Sequence, residues 1–358
     1  MKEALLSLLR ELTAIDAPSG FEGPVVRRMR ELLTPLADEV SVDRMGNLYA
    51  VRKGAGPGPT LMITAHSDEI GAIVKSIEPS GFIRFDKVGG TVDSLLIGRM
   101  VRINGHLGVV GVKAGHLMTE KERSSILPHT QMYIDVGAKD ADEVKALGIR
   151  VGDPIAYESE LKFFANGDRF AGKAVDDRIG CAVLVALFRE LQHVSFAGTL
   201  VGVVTVQEEV GLRGATVSAF KVNPTMAIAL DTMPCGDTPD VNFHRELPVG
   251  IGRGPAFQVM SGGGARGILV SPVMKRLLIE TAEREGLPYQ VTTFTGGNTD
   301  ASAMHLVREG IPSGVVALPR RYSHSPVEMG DINDTLAALK LLKSLVQHMG
   351  DGIDWNFA

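Results

Sequence analysis

Strand-like and helix-like segments alternate along the second half of the chain, and this order constrains the fold more than any other feature. Apolar runs at 199–206 and 314–318 have the length of buried strands, whereas 175–191 and 331–349 space their apolar side chains as helices do. Parallel strands are joined by crossover connections, which are usually helices. The alternation therefore predicts an α/β fold with a mostly parallel sheet flanked by helices. The other elements predicted in this half are helix 211–220, strand 225–230, strand 255–260, helix 271–285, strand 289–293 and helix 299–309.

The middle of the chain has a different pattern. Short alternating runs, among them AIVKSI and FIRFDKV, are separated by Gly, Pro and Asp, and only 140–147 resembles an amphipathic helix. Evenly spaced short strands with turn residues between them are typical of a small barrel or another compact β domain. We therefore predict an α/β domain made of residues 1–70 and 165–358, interrupted by a small all-β, barrel-like domain of residues 71–164.

The N-terminal part is predicted to contain two helices, a hairpin and a short strand. Leucines at helical spacing mark the first helix, and a glycine-containing turn near Met45 marks the hairpin. The predicted bounds are helices at 3–15 and about 22–36, a hairpin at 39–54, a loop at 54–59 and a buried strand at 61–65.

Composition removes several classes of protein from consideration. Lys plus Arg is 37 and Asp plus Glu is 42, which gives a net charge of −5 and indicates neither a nucleic-acid surface nor an anionic-membrane anchor. The longest apolar run, 181–188, is far shorter than the roughly 18 residues of a membrane span. The N-terminal segment lacks the uninterrupted apolar core of a signal peptide. Two cysteines, Cys181 and Cys235, cannot build a disulfide framework, so we expect a cytoplasmic protein.

Side chains that bind metals follow the predicted strands of the sheet. Ligands from different strands of an open α/β sheet converge beyond the carboxyl ends of the strands. The residues at these ends are His66 and Asp68 after strand 61–65, Glu208 and Glu209 after strand 199–206, Asp231 after strand 225–230, and Arg320 and His324 after strand 314–318. Asp176 and Asp177 stand at the start of a predicted helix.

Each of these residues also has an ordinary explanation as a helix cap, a turn residue or a solvated side chain, but the set as a whole favours a metal site. A single zinc site takes about four ligands, and this set offers more. A dinuclear site needs a bridging carboxylate and further ligands on each side. Two positive ions would also offset the adjacent like charges of Glu208 and Glu209. Neighbouring side chains diverge where a strand ends, so the two glutamates can face different partners. One glutamate could then bind metal while the other acts as a general base.

Five motifs together identify a family resemblance. They are TAHSDEIG, GKAVDDRIGC, VQEEVGLRGA, ALDTMPCGDTP and RYSHSPVE. In this order they resemble the co-catalytic metallo-aminopeptidases that assemble into tetrahedral dodecamers, a family with glutamyl, leucyl, lysyl and deblocking members and some members labelled endoglucanases. The resemblance runs from about Asp16 to Met349. It implies a metal-dependent aminopeptidase that hydrolyses the N-terminal peptide bond of peptides.

The resemblance also implies a role for each residue of the site. His66, Asp176 and Asp231 would hold one divalent ion, and Asp176, Glu209 and His324 would hold the other. The ions would be Zn or Co, with Mn also compatible with nitrogen and oxygen ligands. The general base would be Glu208, and Asp68 would hydrogen-bond His66 and fix its tautomer. The Asp176–Asp177 peptide bond is expected to be cis in this family.

The resemblance has consequences for assembly and for the substrate pocket. The inserted β domain corresponds to a dimerisation domain, so we expect a homo-oligomer, a dodecamer built from dimers. Ser323, Asn298 and Cys235 depart from the common family pattern beside the pocket, which leaves the preferred N-terminal residue open. Asp300 is a candidate acidic group for the substrate amine, and Arg320 is a second candidate substrate-binding residue.

Three alternatives remain open from the sequence. A two-metal deacylase or carboxypeptidase would need a cation for the substrate carboxylate, which the pair Arg320–Arg321 could supply. A glycosidase would use two carboxylates without metals and would leave His66 and His324 unexplained. A non-catalytic assembly protein would have no need of Glu208 as a base.

Overall fold

The computed structural model describes residues 1–350 and 352–353 of the chain. This part of the chain contains α-helices and strands in the alternating order that the sequence predicts. The helices are α1 (Lys2–Thr13), α2 (Gly23–Leu33), α3 (Glu120–Arg123), α4 (Ala141–Ala146), α5 (Val175–Glu190), α6 (Arg213–Val222), α7 (Pro272–Arg284), α8 (Ala301–Met304) and α9 (Ile332–His348). The strands are β1 (Glu39–Val42), β2 (Leu48–Lys53), β3 (Gly56–His66), β4 (Gly71–Ile77), β5 (Ile83–Val88), β6 (Met100–Ile103), β7 (His106–Gly111), β8 (Tyr133–Asp135), β9 (Pro154–Tyr157), β10 (Lys162–Phe163), β11 (Arg169–Gly172), β12 (Ala197–Thr205), β13 (Met226–Pro234), β14 (Ala256–Ser261), β15 (Gln290–Phe294), β16 (Ser313–Arg320) and β17 (Glu328–Asp331).

An eight-stranded sheet in the order β1-β2-β12-β3-β13-β16-β14-β15 forms the centre of the α/β part. Its four middle strands, β12, β3, β13 and β16, are neighbours and run parallel to one another. Strands β1 and β2 and the β14–β16 pair add antiparallel contacts at the two sides. Because the four middle strands share one direction, their carboxyl ends lie along one edge. The predicted fold class, a mostly parallel sheet flanked by helices, is confirmed.

Both faces of this sheet are covered by helices. Helix α5 is apolar around most of its circumference, and its residues from Cys181 to Val185 are buried. It packs against α1 and α9 as well as against the sheet, which explains the near-continuous apolar run at this place in the sequence. Strands buried on both faces likewise show continuous apolar runs rather than alternation.

Strands β4 to β9 form a closed six-stranded barrel in the order β4-β5-β8-β7-β6-β9. The barrel has an apolar core of its own, in which Ile83, Ile103 and Ile134 are at most 1% exposed. Every pairing in it is antiparallel. The fold class predicted for the middle of the chain, a small all-β unit, is confirmed as well.

Two local predictions, one of a helix and one of a loop, are wrong. The helix predicted at 299–309 is only the single turn Ala301–Met304. Hydrogen-bonded turns follow it, and the φ of 56° at Arg308 excludes a helix through that residue. The loop predicted at 54–59 is partly strand, because β3 begins at Gly56. A Cβ on Gly58 would lie 2.7 Å from the backbone nitrogen of Gly198, so glycine is what allows the two chains to approach there.

The strand predicted at 225–230 continues to Pro234, so Asp231 lies within β13 rather than after it. A small three-stranded sheet of β10, β11 and β17 was not predicted, since its strands are too short to show a periodic pattern. Among the described residues, no helix has both the length and the apolar character needed to cross a membrane.

Candidate metal centre

The carboxyl ends of the four parallel strands bring the predicted ligands together. His66 is the last residue of β3 and is paired in register with Thr205, the last residue of β12. Glu208 and Glu209 follow Thr205 after a short turn, and Asp231 lies in β13 on the other side of β3. These residues therefore meet at one edge because of the strand order, although they are far apart in the sequence.

One cluster of ligand atoms surrounds the imidazole of His66. Its Nε2 lies 3.1 Å from Oδ1 of Asp176 and 3.7 Å from Oδ1 of Asp231. All three residues are buried, with exposed fractions of 2%, 6% and 6% in that order. Ligand atoms about 2.0–2.2 Å from one ion stand at separations of this size. The arrangement fits the first ion site implied by the resemblance.

A second cluster shares the same aspartate. Nε2 of His324 lies 3.5 Å from Oδ2 of Asp176 and 3.4 Å from Oε2 of Glu209. The two carboxylate oxygens of Asp176 thus face two different histidines, which is the geometry that a bridging ligand requires. Oε1 of Glu209 is buried and has no hydrogen-bond partner among the described residues. A buried carboxylate oxygen without a donor fits a cation better than an apolar or hydrogen-bonded surrounding.

Asp177 is a second aspartate near His66, because His66, Asp177 and Asp231 also form a group with ligand atoms within 4.8 Å of one another. Both oxygens of Asp177, however, accept backbone N–H groups. Oδ2 accepts from His66 at 3.2 Å and Oδ1 accepts from Gly180 at 3.0 Å. We therefore assign Asp177 to holding the strand end and the start of the regular helix, and Asp176 to the cluster. The Asp176–Asp177 peptide bond is cis, as the resemblance implies.

Asp68 lies beneath the glutamate pair as well as beside His66. Nδ1 of His66 is 3.1 Å from the backbone carbonyl oxygen of Asp68 and 3.4 Å from its carboxylate. The carboxylate itself accepts the N–H of Glu208 at 3.0 Å, the N–H of Glu209 at 3.1 Å and the hydroxyl of Ser19 at 2.6 Å. Asp68 therefore fixes the backbone of both glutamates, in addition to its contact with the imidazole.

Glu22 extends this support by one residue. Its Oε1 accepts the N–H of Gln207 at 3.0 Å. Three consecutive N–H groups, those of Gln207, Glu208 and Glu209, are thus donated to two buried carboxylates from other parts of the chain. Neither Glu22 nor Ser19 was predicted from the sequence as a residue of the site.

Glu328 connects the ligands of the second cluster and was also missed. Its carboxylate accepts the N–H of Asp176 at 2.9 Å and the N–H of His324 at 3.0 Å. It also forms an ion pair with Arg320. One buried carboxylate therefore connects the backbone at Asp176 with the backbone at His324. The only signal in the sequence is its place at the end of the motif RYSHSPVE.

A residue of the inserted unit touches the second cluster. Gly90 follows β5 of the barrel, and a Cβ added to it would lie 2.7 Å from Nδ1 of His324. The absence of a side chain at this position leaves room for the imidazole. The barrel segment is therefore in contact with the site, although every predicted ligand lies outside it.

The remaining predicted residues take different places. Arg320 lines the cavity in front of the cluster, and its guanidinium is 2.5 Å from Oδ2 of Asp176. Asp300 is 2% exposed, accepts a hydrogen bond from Thr205 at 2.7 Å, and is outside the cavity lining of the described chain. Of the three departures from the family pattern, Ser323 and Asn298 line the cavity, and Cys235 is buried away from it.

The buried carboxylates of the cluster would be stabilised by bound positive charge. Burial raises the pKa of Glu208 well above its usual range, and burial together with Asp176 raises the pKa of Glu209 to about 7. Burial also raises the pKa of Asp176, but Arg320 and the two histidines outweigh it and hold that pKa well below the usual range. Several carboxylates crowded into a poorly hydrated space are stabilised by cations. The donor set of carboxylates and imidazoles therefore fits divalent metal ions.

Comparison with known families agrees with this donor set. The family described as M42 glutamyl aminopeptidase matches residues 46–341. The chain belongs to the M42 family. M42 peptidases are metal-dependent hydrolases that act as aminopeptidases, so the family agrees with the carboxylate and histidine cluster of this chain.

Curated relatives of this M42 chain cover nearly its whole length. It is 32% identical over 349 residues to the glutamyl aminopeptidase of Lactococcus lactis subsp. cremoris, with 96% of each chain covered. It is 31% identical over 352 residues to the lysyl aminopeptidase of Pyrococcus furiosus, again with 96% of each covered. Two relatives named for different N-terminal substrate residues are thus about equally similar to this chain. Sequence similarity alone therefore does not tell which N-terminal residue this chain prefers.

Two solved peptidase structures share the fold. The aminopeptidase APDkam598 of Desulfurococcus kamchatkensis superposes with a TM-score of 0.93 at 34% identity, covering 99% of each chain. The TET1 peptidase of Pyrococcus horikoshii, which can assemble into a tetrahedron or a large octahedral shell, superposes with a TM-score of 0.85 at 30% identity, covering 96% of this chain and 99% of that one. Both superpositions cover at least 96% of this chain, so the likeness extends over nearly its whole length.

Proposed function

We propose that this chain is a dinuclear metallo-aminopeptidase that removes the N-terminal residue of peptides. The observation that carries the proposal is the position of Asp176, whose Oδ1 lies 3.1 Å from His66 and whose Oδ2 lies 3.5 Å from His324. A carboxylate with one oxygen toward each of two histidines is suited to bridge two ions. His66 and Asp231 would complete one ion site, and Glu209 and His324 would complete the other. Zn or Co is the expected metal, and Mn is compatible with the same ligands.

The two glutamates have different surroundings, which supports different roles. Glu209 has one oxygen beside His324 and the other without a protein partner, as expected of a ligand. Glu208 also lines the cavity, but among the described residues its carboxylate makes no ion-pair contact with His66 or His324, unlike the carboxylate of Glu209. This difference supports Glu208 as the group that acts on the substrate.

The proposed reaction combines the chemistry of the bound ions with two contributions from the chain. Two divalent ions, when bound, would lower the pKa of a water and polarise the scissile carbonyl. Glu208 accepts the proton of the attacking water and then donates it to the leaving amine. Asp68 holds the backbone of Glu208 in place through a hydrogen bond of 3.0 Å, so the base keeps its distance from the reacting atoms.

The charge of the site favours the amino end of the substrate. Four carboxylates face the cavity, those of Asp176, Glu208, Glu209 and Asp231. With two divalent ions bound, these carboxylates leave no net positive charge for a substrate carboxylate, whereas a free amine can lie beside them. A carboxypeptidase or deacylase acting on a substrate carboxylate would need a free cation. Arg320 is instead paired with Asp176 and Glu328.

Assembly is part of the proposal. We propose that the barrel is the dimerisation domain and that dimers build a dodecamer. The outer face of β6 and β7 carries exposed apolar side chains, with Met100 at 40%, Leu107 at 53% and Val109 at 38% exposure. Met100 and Val109 are directly opposite in register, so they form one continuous apolar surface. A peptide substrate, rather than a folded protein, would enter a closed shell.

The two free cysteines agree with a cytoplasmic location.

Metal reconstitution tests the proposal directly. Metal-depleted protein is titrated separately with Zn, Co and Mn, and the hydrolysis of leucyl-p-nitroanilide is compared with that of its N-acetylated form. We expect activity to return as two ions bind per chain, and only on the substrate with a free amine. Release of C-terminal residues from an N-acetylated peptide would instead support the carboxypeptidase alternative.

The glutamate pair supplies a matched test of the roles. Glu208→Gln should retain both ions and lose about two to four orders of magnitude in kcat, the usual range for a general base. Glu209→Gln should weaken metal binding, measured as ions per chain after dialysis. The reverse pattern would show that the two roles are exchanged. Light scattering that gave an active monomer would contradict the proposed shell but not the proposed chemistry.

A further inference from the structure

In the cavity in front of the cluster, each charged residue of the described lining belongs to the proposed metal centre or to an ion pair. The cavity has a volume of about 420 Å³, within the usual range for small-ligand sites. Apolar side chains line it at Leu212, Met233, Pro234 and Phe294. The rest of its lining outside the cluster consists of glycines, Arg320 and neutral polar residues. Any side chain of a bound substrate must lie against these walls.

The acidic lining residues belong to the proposed metal centre. Asp176, Glu209 and Asp231 face the proposed ions, and Glu208 is the proposed base. With two divalent ions bound, the four carboxylates and the ions balance in formal charge. Within the described lining, no further carboxylate is left to pair with a basic substrate side chain.

The basic residues of this region are also committed. Arg320 is 4% exposed and pairs with Asp176 and Glu328. Arg321 makes two contacts with Asp237, from Nε to Oδ1 at 3.0 Å and from an Nη to Oδ2 at 2.8 Å. It is outside the described lining of the cavity. Nε of Arg320 has no partner among the described residues, but it is buried, so neither arginine presents an exposed unpaired nitrogen to an acidic substrate side chain.

We infer that this cavity selects peptides whose first residue is neutral and mainly apolar, of the leucine or methionine class, over peptides that begin with Glu or Lys. The inference rests on the proposed aminopeptidase function. A charged side chain entering the cavity would lose hydration without gaining a partner, whereas an apolar side chain gains contact with Leu212, Met233 and Phe294. The glutamyl and lysyl names of the two relatives therefore do not transfer to this chain.

A panel of aminoacyl-aminomethylcoumarins tests the inference. The metal-loaded wild-type protein is assayed with Leu, Met, Glu and Lys substrates, and kcat/KM is compared at one pH and one salt concentration. We expect the Leu and Met substrates to exceed the Glu and Lys substrates by about tenfold or more, the discrimination typical of a pocket contact. A Glu or Lys substrate that equals or exceeds Leu would overturn the inference and leave the aminopeptidase function standing. A panel with no hydrolysis at all would contradict the proposed function itself.

Two variants test the physical reason. Asn298→Asp keeps the oxygen that accepts from Ser261 at 3.2 Å and adds a carboxylate to the wall. It should raise the Lys-to-Leu ratio of kcat/KM about two- to fivefold, as a partly exposed ion pair would. Thr295→Asp, at an exposed residue of the same loop outside the described lining, is the matched control and should leave the ratio unchanged.

Arg320→Gln separates a structural arginine from one that recognises substrate. The inference expects the Glu-to-Leu ratio to stay at its wild-type value, whatever happens to the overall rate. A selective fall in the rate with Glu would show that Arg320 binds acidic side chains and would overturn the inference. An unchanged Lys-to-Leu ratio in Asn298→Asp would also count against it, because the added charge would then lie away from the substrate side chain.

Discussion

Gly90 lies in the inserted barrel segment, and its replacement by alanine should weaken metal binding at the second cluster. The added Cβ would lie 2.7 Å from Nδ1 and 3.2 Å from Cε1 of His324, whereas ordinary contact begins at 3.4 Å. The imidazole must therefore move by 3.4 − 2.7 = 0.7 Å to restore contact with Nδ1. Distances between metals and their ligands hold to about 0.2 Å, so a shift of this size takes His324 out of ligand geometry. We expect metal affinity at this site to fall about 10- to 100-fold, the usual effect of disturbing the support of a ligand.

The assay is a metal titration of the depleted protein, with ions per chain and kcat measured on the same samples. Gly115→Ala is the matched control, because Gly115 is an exposed glycine of the same inserted segment and a Cβ there would have nothing within 4 Å. The control should bind two ions as the wild type does. Gly90→Ala that bound two ions with wild-type affinity and kept the wild-type kcat would refute the reasoning, since the site would then have accommodated the added Cβ without displacing the imidazole.

Three further outcomes follow from buried carboxylates. Ser19→Ala removes a hydrogen bond of 2.6 Å to the fully buried Asp68 and should lower the free energy of unfolding by about 1.5–3 kcal/mol, measured by denaturant titration. Glu328→Gln should weaken metal binding about 10- to 100-fold in a dialysis measurement, whereas Glu309→Gln at an exposed position should not. Burial raises the pKa of Asp334 from its ordinary value of 3.8 to about 7, so the folded chain retains a proton that the unfolded chain loses. The free energy of unfolding should therefore fall as the pH rises from about 4 to about 7, and Asp334→Asn should flatten that slope.

The edge of the sheet that carries the metal cluster could be predicted from the sequence, because a buried strand and the ligand residue that follows it are both recognisable in a short stretch of chain. An apolar run followed at once by His66 or by the glutamate pair can be read without knowing the partner strand. The parallel order then brings those ends together, which the pairing of Thr205 with His66 shows in the structure. The fold class was predictable for the same reason, since each strand and each long helix carries its own periodic pattern.

The predictions that failed depended on features without a periodic pattern. The turn at Arg308 breaks a segment whose composition still favours a helix. Strand β3 extends into a glycine- and proline-rich stretch because Gly58 can approach Gly198 closely, which is a property of the partner strand and not of the stretch itself. Tertiary contact overrides local propensity in both places.

The supporting carboxylates could not be separated from the ligands by sequence, because the two groups have the same chemistry. Glu22 and Glu328 are glutamates like Glu209, and what distinguishes them is which atoms they face. Glu22 accepts an N–H from a residue 185 positions away, and Glu328 accepts one from a residue 152 positions away. A carboxylate whose oxygens are filled by backbone N–H groups is committed to positioning, whereas one with an unpaired buried oxygen, such as Glu209, is available to a cation. The backbone hydrogen bonds of the folded chain therefore determine which of these glutamates position other residues and which are available to bind metal. Measuring metal binding by single variants of these glutamates tests this assignment.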